Sequence, residues 1–435
     1  MTWPSRRTAA VAQWVSVMPR TIMSPVVYRP PLTPALSWAP HGWGGKERDL
    51  PLSRAGERGA DFSDCDRNQT KTQNCHYKCV MLNKSFKLKP RMVASGRPSG
   101  MAGIIWQRGI LMGSRSGIFP SLAVVIEWEN AVLAKLSRTM RMLEQLRQQL
   151  AAIAPLLGEK AEVLFLYDQT RVSAEFIQKA VGKVFGNAQF CEVKVISTKG
   201  KRYYELKNES LLYTQKDLLV FLDSDVVPED GWLRGLLKAF EQEDTKVVCG
   251  NTYVSPDGLY GKAMALFWFF PLRQDDEGLV ASNCFFANNV AFRREVLKKY
   301  PFPDLENFRG QCLSLARLMR NDGIPIYLQR SSRVSHPPPN GFWHFACRAL
   351  CQGHDEALEA RRGSSYGVML GAAKRYFQSL REAYWEICRG YPKVQLSRLG
   401  GVCAFGIAAA YHSLAFAGAL VTRVHPSIVR RYFPI

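Results

Sequence analysis

No apolar run stands behind Met1, where "MTWPSRRTAAVAQWV" mixes basic and polar residues, so a cleaved secretory signal is not expected. The eleven cysteines fall into no disulfide framework, which points to reduced thiols and a cytosolic catalytic part. Zinc-ribbon spacing is missing as well: Cys65, Cys75, His76 and Cys79 lack the paired short steps such a site needs. Periodicity of either 2 or 3.6 residues is absent from residues 1–118, which are rich in Pro, Arg, Gly, Ser and Trp. That stretch reads as disordered, or as a mis-assigned leader ahead of a start at Met101 or Met112.

Acidic residues are scarce only at the two ends. The net charge of +21 is carried by residues 1–120, with 18 Lys and Arg against 6 Asp and Glu, and by residues 330–435, with 14 against 5. Residues 121–329 balance at 26 against 26. A neutral middle argues against a nucleic-acid groove, and no nucleic acid is expected as a partner. A basic carboxyl end suits an anionic membrane surface.

What is present from Ser121 onward is orderly. "LAVVIEW" reads as a strand, followed by a helix with a stripe through Leu133, Leu136, Met140, Leu143, Leu146 and Leu150. "AEVLFLYD" is a second strand ending on Asp168, residues 173–185 a helix, and "CEVKVIS" a third strand. A basic loop, "TKGKRYYELKN", and a helix over 209–214 lead to a fourth strand, "LLVFLD". Strands alternating with helices predict an α/β chain with a Rossmann-like, mostly parallel mixed sheet flanked by helices. Its active edge would gather Glu127 to Asn130, Asp168, the 199–208 loop, and Asp223 with Asp225.

Asp223 and Asp225 arrive where a buried strand leaves the sheet, the place where open α/β sheets bind ligands. Two hard carboxylates imply Mn2+ or Mg2+, cations that usually share their coordination with substrate phosphates. The plainer alternative is an acidic turn in which an Asp caps a helix beginning near Asp230 or Gly231.

The order of "EWEN", Asp168, Lys207-Asn208, "VFLDSDVVPEDGWL", "NNVAFRREVL" and "RVSH" resembles a family 2 glycosyltransferase with the GT-A fold, over about residues 121–340. The resemblance implies a nucleotide-diphosphate sugar as donor. It places Glu129, Asn130 and Asp168 by the nucleotide, Lys207 and Asn208 near the donor phosphates, and Asn289 in a segment flanking acceptor and donor sugar. Asp223 and Asp225 would form the DxD motif, with Asp225 the direct metal ligand, and His336 would join the metal or diphosphate.

One departure stands out. Many family members carry an adjacent Glu-Asp before a helix, whereas this chain has "FPDLENFRGQCLSLARLM". The candidate general bases are therefore Asp304 and Glu306, with Glu306 preferred.

Beyond residue 340 the chain turns basic and helical. His344, Cys347, Cys351 and His354 follow the spacing of one helix face, which zinc does not require. Residues 371–388 set Tyr376, Phe377, Leu380, Tyr384 and Ile387 on an aromatic face opposite Lys374, Arg375 and Arg381. Leu399 to Thr422 holds no formal charge over 24 residues, long enough to cross a hydrocarbon core of ~30 Å. The expected division is a leader over 1–118, a catalytic domain over 119–340, a helical extension over 341–395, and a membrane helix with basic tail over 396–435.

The reading is a metal-assisted, inverting, hexosyltransferase-type enzyme. It would take a nucleotide sugar as donor and a glycan, lipid or glycoconjugate as acceptor, and it would be membrane-associated with its catalytic domain cytoplasmic. Two alternatives are a non-catalytic nucleotide-sugar-binding protein on the same fold and an aspartyl-nucleophile phosphatase using Asp223 and Asp225.

Overall fold

Apolar runs without alternation must be covered on both faces, and the sheet at the centre of the computed structural model is built from such runs. The structure describes residues 118–360 and 365–432; the sequence readings for 1–117, including Cys65, Cys75, His76 and Cys79, fall outside the described residues. Strands β1 (Leu122–Glu127), β2 (Ala161–Asp168), β3 (Cys191–Thr198) and β4 (Leu218–Asp223) pair parallel in the order β3-β2-β1-β4. Every residue of β1 and β4 is buried.

The sheet continues from β4 through β8 (Asn289–Arg293), β6 (Val247–Val254) and β9 (Ile326–His336). It ends on β5 (Val227–Pro228), while β7 (Leu279–Ser282) also pairs with β9. The sheet is mixed, as expected, and its antiparallel strands lie on this side. β8 runs antiparallel to both β4 and β6, and β5 and β7 run antiparallel to β9; only the β6–β9 pair is parallel. The sequence hid this because β8, "NVAFR", is buried almost throughout, as a parallel strand would be.

Helices cover both faces. On one lie α1 (Leu136–Ile153), α2 (Ala174–Phe185) and α4 (Trp232–Lys238), packing Met142, Leu146, Ile177 and Trp232 against β1, β2 and β4. On the other lie α3 (Tyr203–Glu209), α6 (Arg294–Lys299) and α7 (Gln311–Asn321), with Leu206, Leu297, Leu315 and Met319. The predicted stripe of the first helix shifts: Lys135 is extended, the helix starts at Leu136, and Leu136 itself is exposed. Its buried face is Met142, Leu143, Leu146, Leu150 and Ile153. The basic loop is also partly helical, since α3 begins at Tyr203, where Arg202 N donates to Glu205 Oε2 at 2.8 Å. Asp230 is no cap; Gly231, at φ 76°, precedes α4.

A third cluster joins α5 (Gly258–Phe267) to the carboxyl-terminal helices α8 (Gly341–Ala360), α9 (Ser365–Gly390) and α10 (Arg398–Val424), which α11 (Pro426–Tyr432) follows. Phe267, Phe345, Ala404, Ala408 and Tyr411 fill it. α10 buries its small residues, Gly401, Ala404, Ala408, Ala415 and Gly418. Small side chains let the α8 and α10 backbones approach closely: a Cβ on Gly353 would stand 1.7 Å from the Ala415 carbonyl oxygen, and one on Gly418 2.2 Å from that of Leu350. α10 is the one helix among the described residues long and apolar enough to cross a membrane.

In α8, His354 Nδ1 lies 2.9 Å from Thr422 Oγ1, and no metal-type cluster of His, Cys, Asp or Glu occurs among the described residues. The aromatic face of α9 divides: Ile387 is buried and Tyr376 packs on Phe416, while Phe377 and Tyr384 are exposed. Gly353→Ala is expected to cost about 1–3 kcal/mol by overpacking the α8–α10 contact. A thermal melt checks it: the midpoint should fall by several degrees, and an unchanged midpoint would contradict the close contact.

Candidate active site at the carboxyl end of the sheet

Parallel register brings acidic residues together without any contact specific to them. Glu127 pairs with Asp223 across β1 and β4, and Asp168 ends β2 beside Thr198 of β3. Glu127 is fully buried; its carboxylate accepts from Glu129 N at 2.9 Å and from Asn130 Nδ2 at 2.9 Å. Burial, then Asp223 opposite, holds the Glu127 carboxyl well above the usual range.

Asp223 is saturated by protein partners. Lys207 Nζ donates to Oδ1 at 2.9 Å, the Tyr203 hydroxyl lies 2.8 and 2.9 Å from the two oxygens, and Asn130 Nδ2 reaches Oδ2 at 3.2 Å. The Lys207 ammonium, entirely out of solvent, also sits 4.5 Å from the Tyr203 ring centre and 5.3 Å from that of Phe221. In this position the lysine neutralises Asp223. Asn208 faces elsewhere again, its amide accepting from Phe302 N and donating to Phe302 O, both at 2.9 Å. It fixes the segment ahead of α7.

Asp225 differs. It is 3% exposed, and its Oδ1 is buried with no hydrogen-bond partner among the described residues. Burial, with Asp223 adding to it, raises its carboxyl to about 7, against the pull of Arg138 and Arg348. Arg138 of α1 holds this turn by its backbone: Nε donates to Asp225 O at 2.7 Å and Nη2 to Ser335 O at 2.5 Å. His336 therefore ends β9 on the same side of the site as Asp225. Its ring lies against Phe270 at 4.7 Å, and its Nδ1 is 2.6 Å from Pro337 O. Burial, then Arg348, depresses its pKa well below the ordinary value, so the ring is neutral.

The expected metal set of Asp223, Asp225 and His336 does not converge as a three-residue cage, since no such group occurs among the described residues. An orphaned buried carboxylate oxygen beside a saturated one still fits a hard cation that takes one protein carboxylate and completes its shell with phosphate and water.

The remaining sequence candidates fall out as follows. Asp168 accepts from Thr170 N at 2.9 Å, Thr170 Oγ1 at 2.8 Å and Gly200 N at 3.1 Å, tying β2 to the loop after β3. Glu129 meets Arg171 at 3.3 Å, and burial raises its carboxyl to about 7 despite that arginine. Asn289 is fully enclosed, its amide accepting from Trp232 Nε1 at 2.8 Å and donating to Ser332 O at 3.2 Å, which braces β8 against α4 and β9. Arg293 and Arg294 straddle the β8–α6 boundary and donate to backbone carbonyls. Asp304 and Glu306 are exposed on the loop before α7.

That loop is tied down by a residue the sequence did not single out. Asp355 of α8, 1% exposed, accepts from Phe308 N and Arg309 N, both at 2.9 Å. At the start of α7 stand Gln311 and Cys312, the thiol 3.6 Å from the Tyr204 hydroxyl. Tyr203, Arg138 and Asp355 share one reason for having gone unread: each acts across long sequence separations through a side chain whose type is common in helices and loops.

Lys207→Met should cost about 3–5 kcal/mol in equilibrium denaturation, because it strands a buried carboxylate. A loss below about 1 kcal/mol would show that the pair is not needed. Burial raises the Asp355 carboxyl to about 7, against the backbone hydrogen bonds from Phe308 and Arg309. With the folded value above the unfolded one, the native state binds the extra proton, so this residue's contribution falls as pH climbs from about 4 to 7 and is flat beyond. Asp355→Asn should therefore gain stability relative to wild type across that window, by on the order of a few kcal/mol at most. Parallel curves for the two proteins would contradict it.

No curated protein sequence matches the chain. Among solved structures, the mannosyltransferase PcManGT from Pyrobaculum calidifontis, in complex with GDP-Man and Mn2+, is 13% identical, with 71% of this chain and 88% of that one covered at a TM-score of 0.43. GalNAc-T7 with UDP, GalNAc and Mn2+ is 14% identical, covering 73% of this chain and 58% of that one at a TM-score of 0.40. A family model matches residues 138–301, the stretch from Arg138 through β4 and the two aspartates to α6. Its description is glycosyl transferase family 2.

Proposed function

We propose that the chain is a metal-dependent, inverting, hexosyltransferase-type enzyme. It takes a nucleotide-diphosphate sugar as donor and a glycan, lipid or glycoconjugate as acceptor. The observation that carries the reading is Asp225 Oδ1, buried without a partner next to a fully bonded Asp223, inside the family-matched segment. Lys207, Tyr203 and Asn130 hold Asp223 and set the turn; Asp225 is left to meet a cation. A bound Mn2+ or Mg2+ would offset the charge that grows on the leaving diphosphate.

The acceptor hydroxyl needs a carboxylate base. Within this reading the role falls to Glu306, with Asp304 second, both exposed on the loop that Asp355 anchors. Gln311 and Cys312 at the head of α7 favour the competing reading, a nucleotide-sugar-binding protein without transfer. The phosphatase alternative has little support: Asp223, which would be its nucleophile, is engaged by Lys207, Tyr203 and Asn130.

Membrane association belongs to the same proposal, with the catalytic part on the cytoplasmic side. It is supported by the apolar α10, by exposed Phe342, Trp343, Leu399 and Val402, and by the basic stretch over residues 330–435.

The test is release of nucleoside diphosphate by the full chain in membranes across a panel of nucleotide sugars, with Mn2+ or with EDTA. One donor should give metal-dependent release, and Asp225→Asn should lower it by about 100-fold or more. Metal-dependent nucleotide binding with no release from any donor would favour the binding protein.

A further inference from the structure

The two helices with membrane character at the carboxyl end expose different faces. α9 alternates apolar and basic residues down one side: Leu370, Lys374, Phe377, Arg381 and Tyr384, with Trp385 beside the last, are all exposed. Steps of four and three residues keep them on a single helix face. Lys374 and Arg381, expected opposite the aromatic side chains, thus share a side with Phe377 and Tyr384. The inward face is Ala372, Ala383 and Ile387, with Tyr376 on Phe416 of α10. Every exposed charged residue from Leu370 to Val402 is basic, while Glu382 and Glu386 are partly buried.

α10 has the length and composition of a span but not its surroundings. Its Tyr411 hydroxyl lies 3.1 Å from Trp268 Nε1 and donates to Gln352 Oε1 at 3.1 Å, and Thr422 Oγ1 lies 2.9 Å from His354 Nδ1. α8 therefore runs beside α10 for about three turns. That stretch of α8 leads straight to Asp355, which holds the backbone of Phe308 and Arg309 ahead of α7. A bilayer around α10 would have to take in α8 and that loop, and hydrocarbon leaves their polar groups unsolvated. Past Val402, α10 meets solvent through Gly406, Ala410 and Ser413, which offer lipid tails little apolar area.

We propose that the chain is monotopic. α9 lies along the headgroup layer of an anionic leaflet, with Phe377, Tyr384 and Trp385 in the interface and Lys374 and Arg381 on acidic headgroups, while α10 stays inside the protein. The interleaved cations keep α9 out of the hydrocarbon. They also disfavour a second copy on this face, since two identical stripes would oppose like charges. Residues 1–120, with 18 Lys and Arg against 6 Asp and Glu, are unsuited to cover it for the same reason. The surface rests on the proposed membrane association, not on the proposed transfer.

Two measurements on the full chain test it: flotation with vesicles of phosphatidylcholine, or of phosphatidylcholine and phosphatidylglycerol in equal parts, and alkaline carbonate extraction of membranes that contain the protein. Wild type should partition to the anionic vesicles about tenfold or more better than to the neutral ones, and should leave the membranes in carbonate. Lys374→Glu with Arg381→Glu should lower that partition about tenfold or more while the thermal midpoint holds, both side chains being exposed. Phe377→Ser with Trp385→Ser should weaken it as well. Retention in carbonate, with vesicle binding indifferent to Lys374 and Arg381, would overturn the in-plane helix and make α10 a span, membrane association standing. Wild type that binds neither vesicle and is recovered as soluble protein would overturn the surface and the membrane reading together. A dimer that the charge reversals dissociate, without vesicle binding, would give the face to a second copy instead.

Discussion

The buried pair of Lys207 and Asp223 is the contact on which the site depends. An ammonium and a carboxylate taken out of water at 2.9 Å are tolerable only because Tyr203 and Asn130 complete the bonding of the carboxylate and two aromatic rings receive the lysine. The pair joins α3 to the end of β4, and Asn130 carries the link on to Glu127 at the end of β1. With Asp223 consumed in this way, Asp225 two residues later is left with an unmatched oxygen. Two aspartates of one short motif thus differ by environment alone: one is bonded into the sheet edge, the other keeps a carboxylate oxygen without a hydrogen-bond partner among the described residues.

The strands and helices that form this edge were legible in the sequence, because β1, β2 and β4 are unbroken apolar runs and α2 keeps a clear stripe. The placement of Glu127, Asp168, Asp223 and Asp225 at one edge followed from parallel alternation. Strand direction beyond β4 was not legible, since β8 is buried on both faces and its pairing depends on contacts with β6. Individual roles were harder. Lys207, Asn208 and Asn289 are polar residues in the expected places, yet their partners are a buried aspartate, the main chain of Phe302, and Trp232 with Ser332. Sequence shows that a polar side chain is present; only packing shows whether it points into the protein or into the site.

The carboxyl-terminal helices are more than an appendage to this edge. α8 contributes Asp355, which fixes the loop of Glu306 and Arg309. α10 holds α8 in place through backbone contacts that Gly353 and Gly418 permit. A segment with the length and composition of a membrane helix therefore also supports residues of the site, and the small side chains that weaken its hydrophobicity are those that let it pack.

The measurement that tests the account most directly is Mn2+ binding by electron paramagnetic resonance, with and without a nucleoside diphosphate, on wild type and Asp225→Ala. Division of labour between the aspartates predicts that wild type holds Mn2+ tightly only when the nucleotide is present, and that Asp225→Ala leaves the ion free although Asp223 and Lys207 are intact. Equal Mn2+ binding by the two proteins would contradict it.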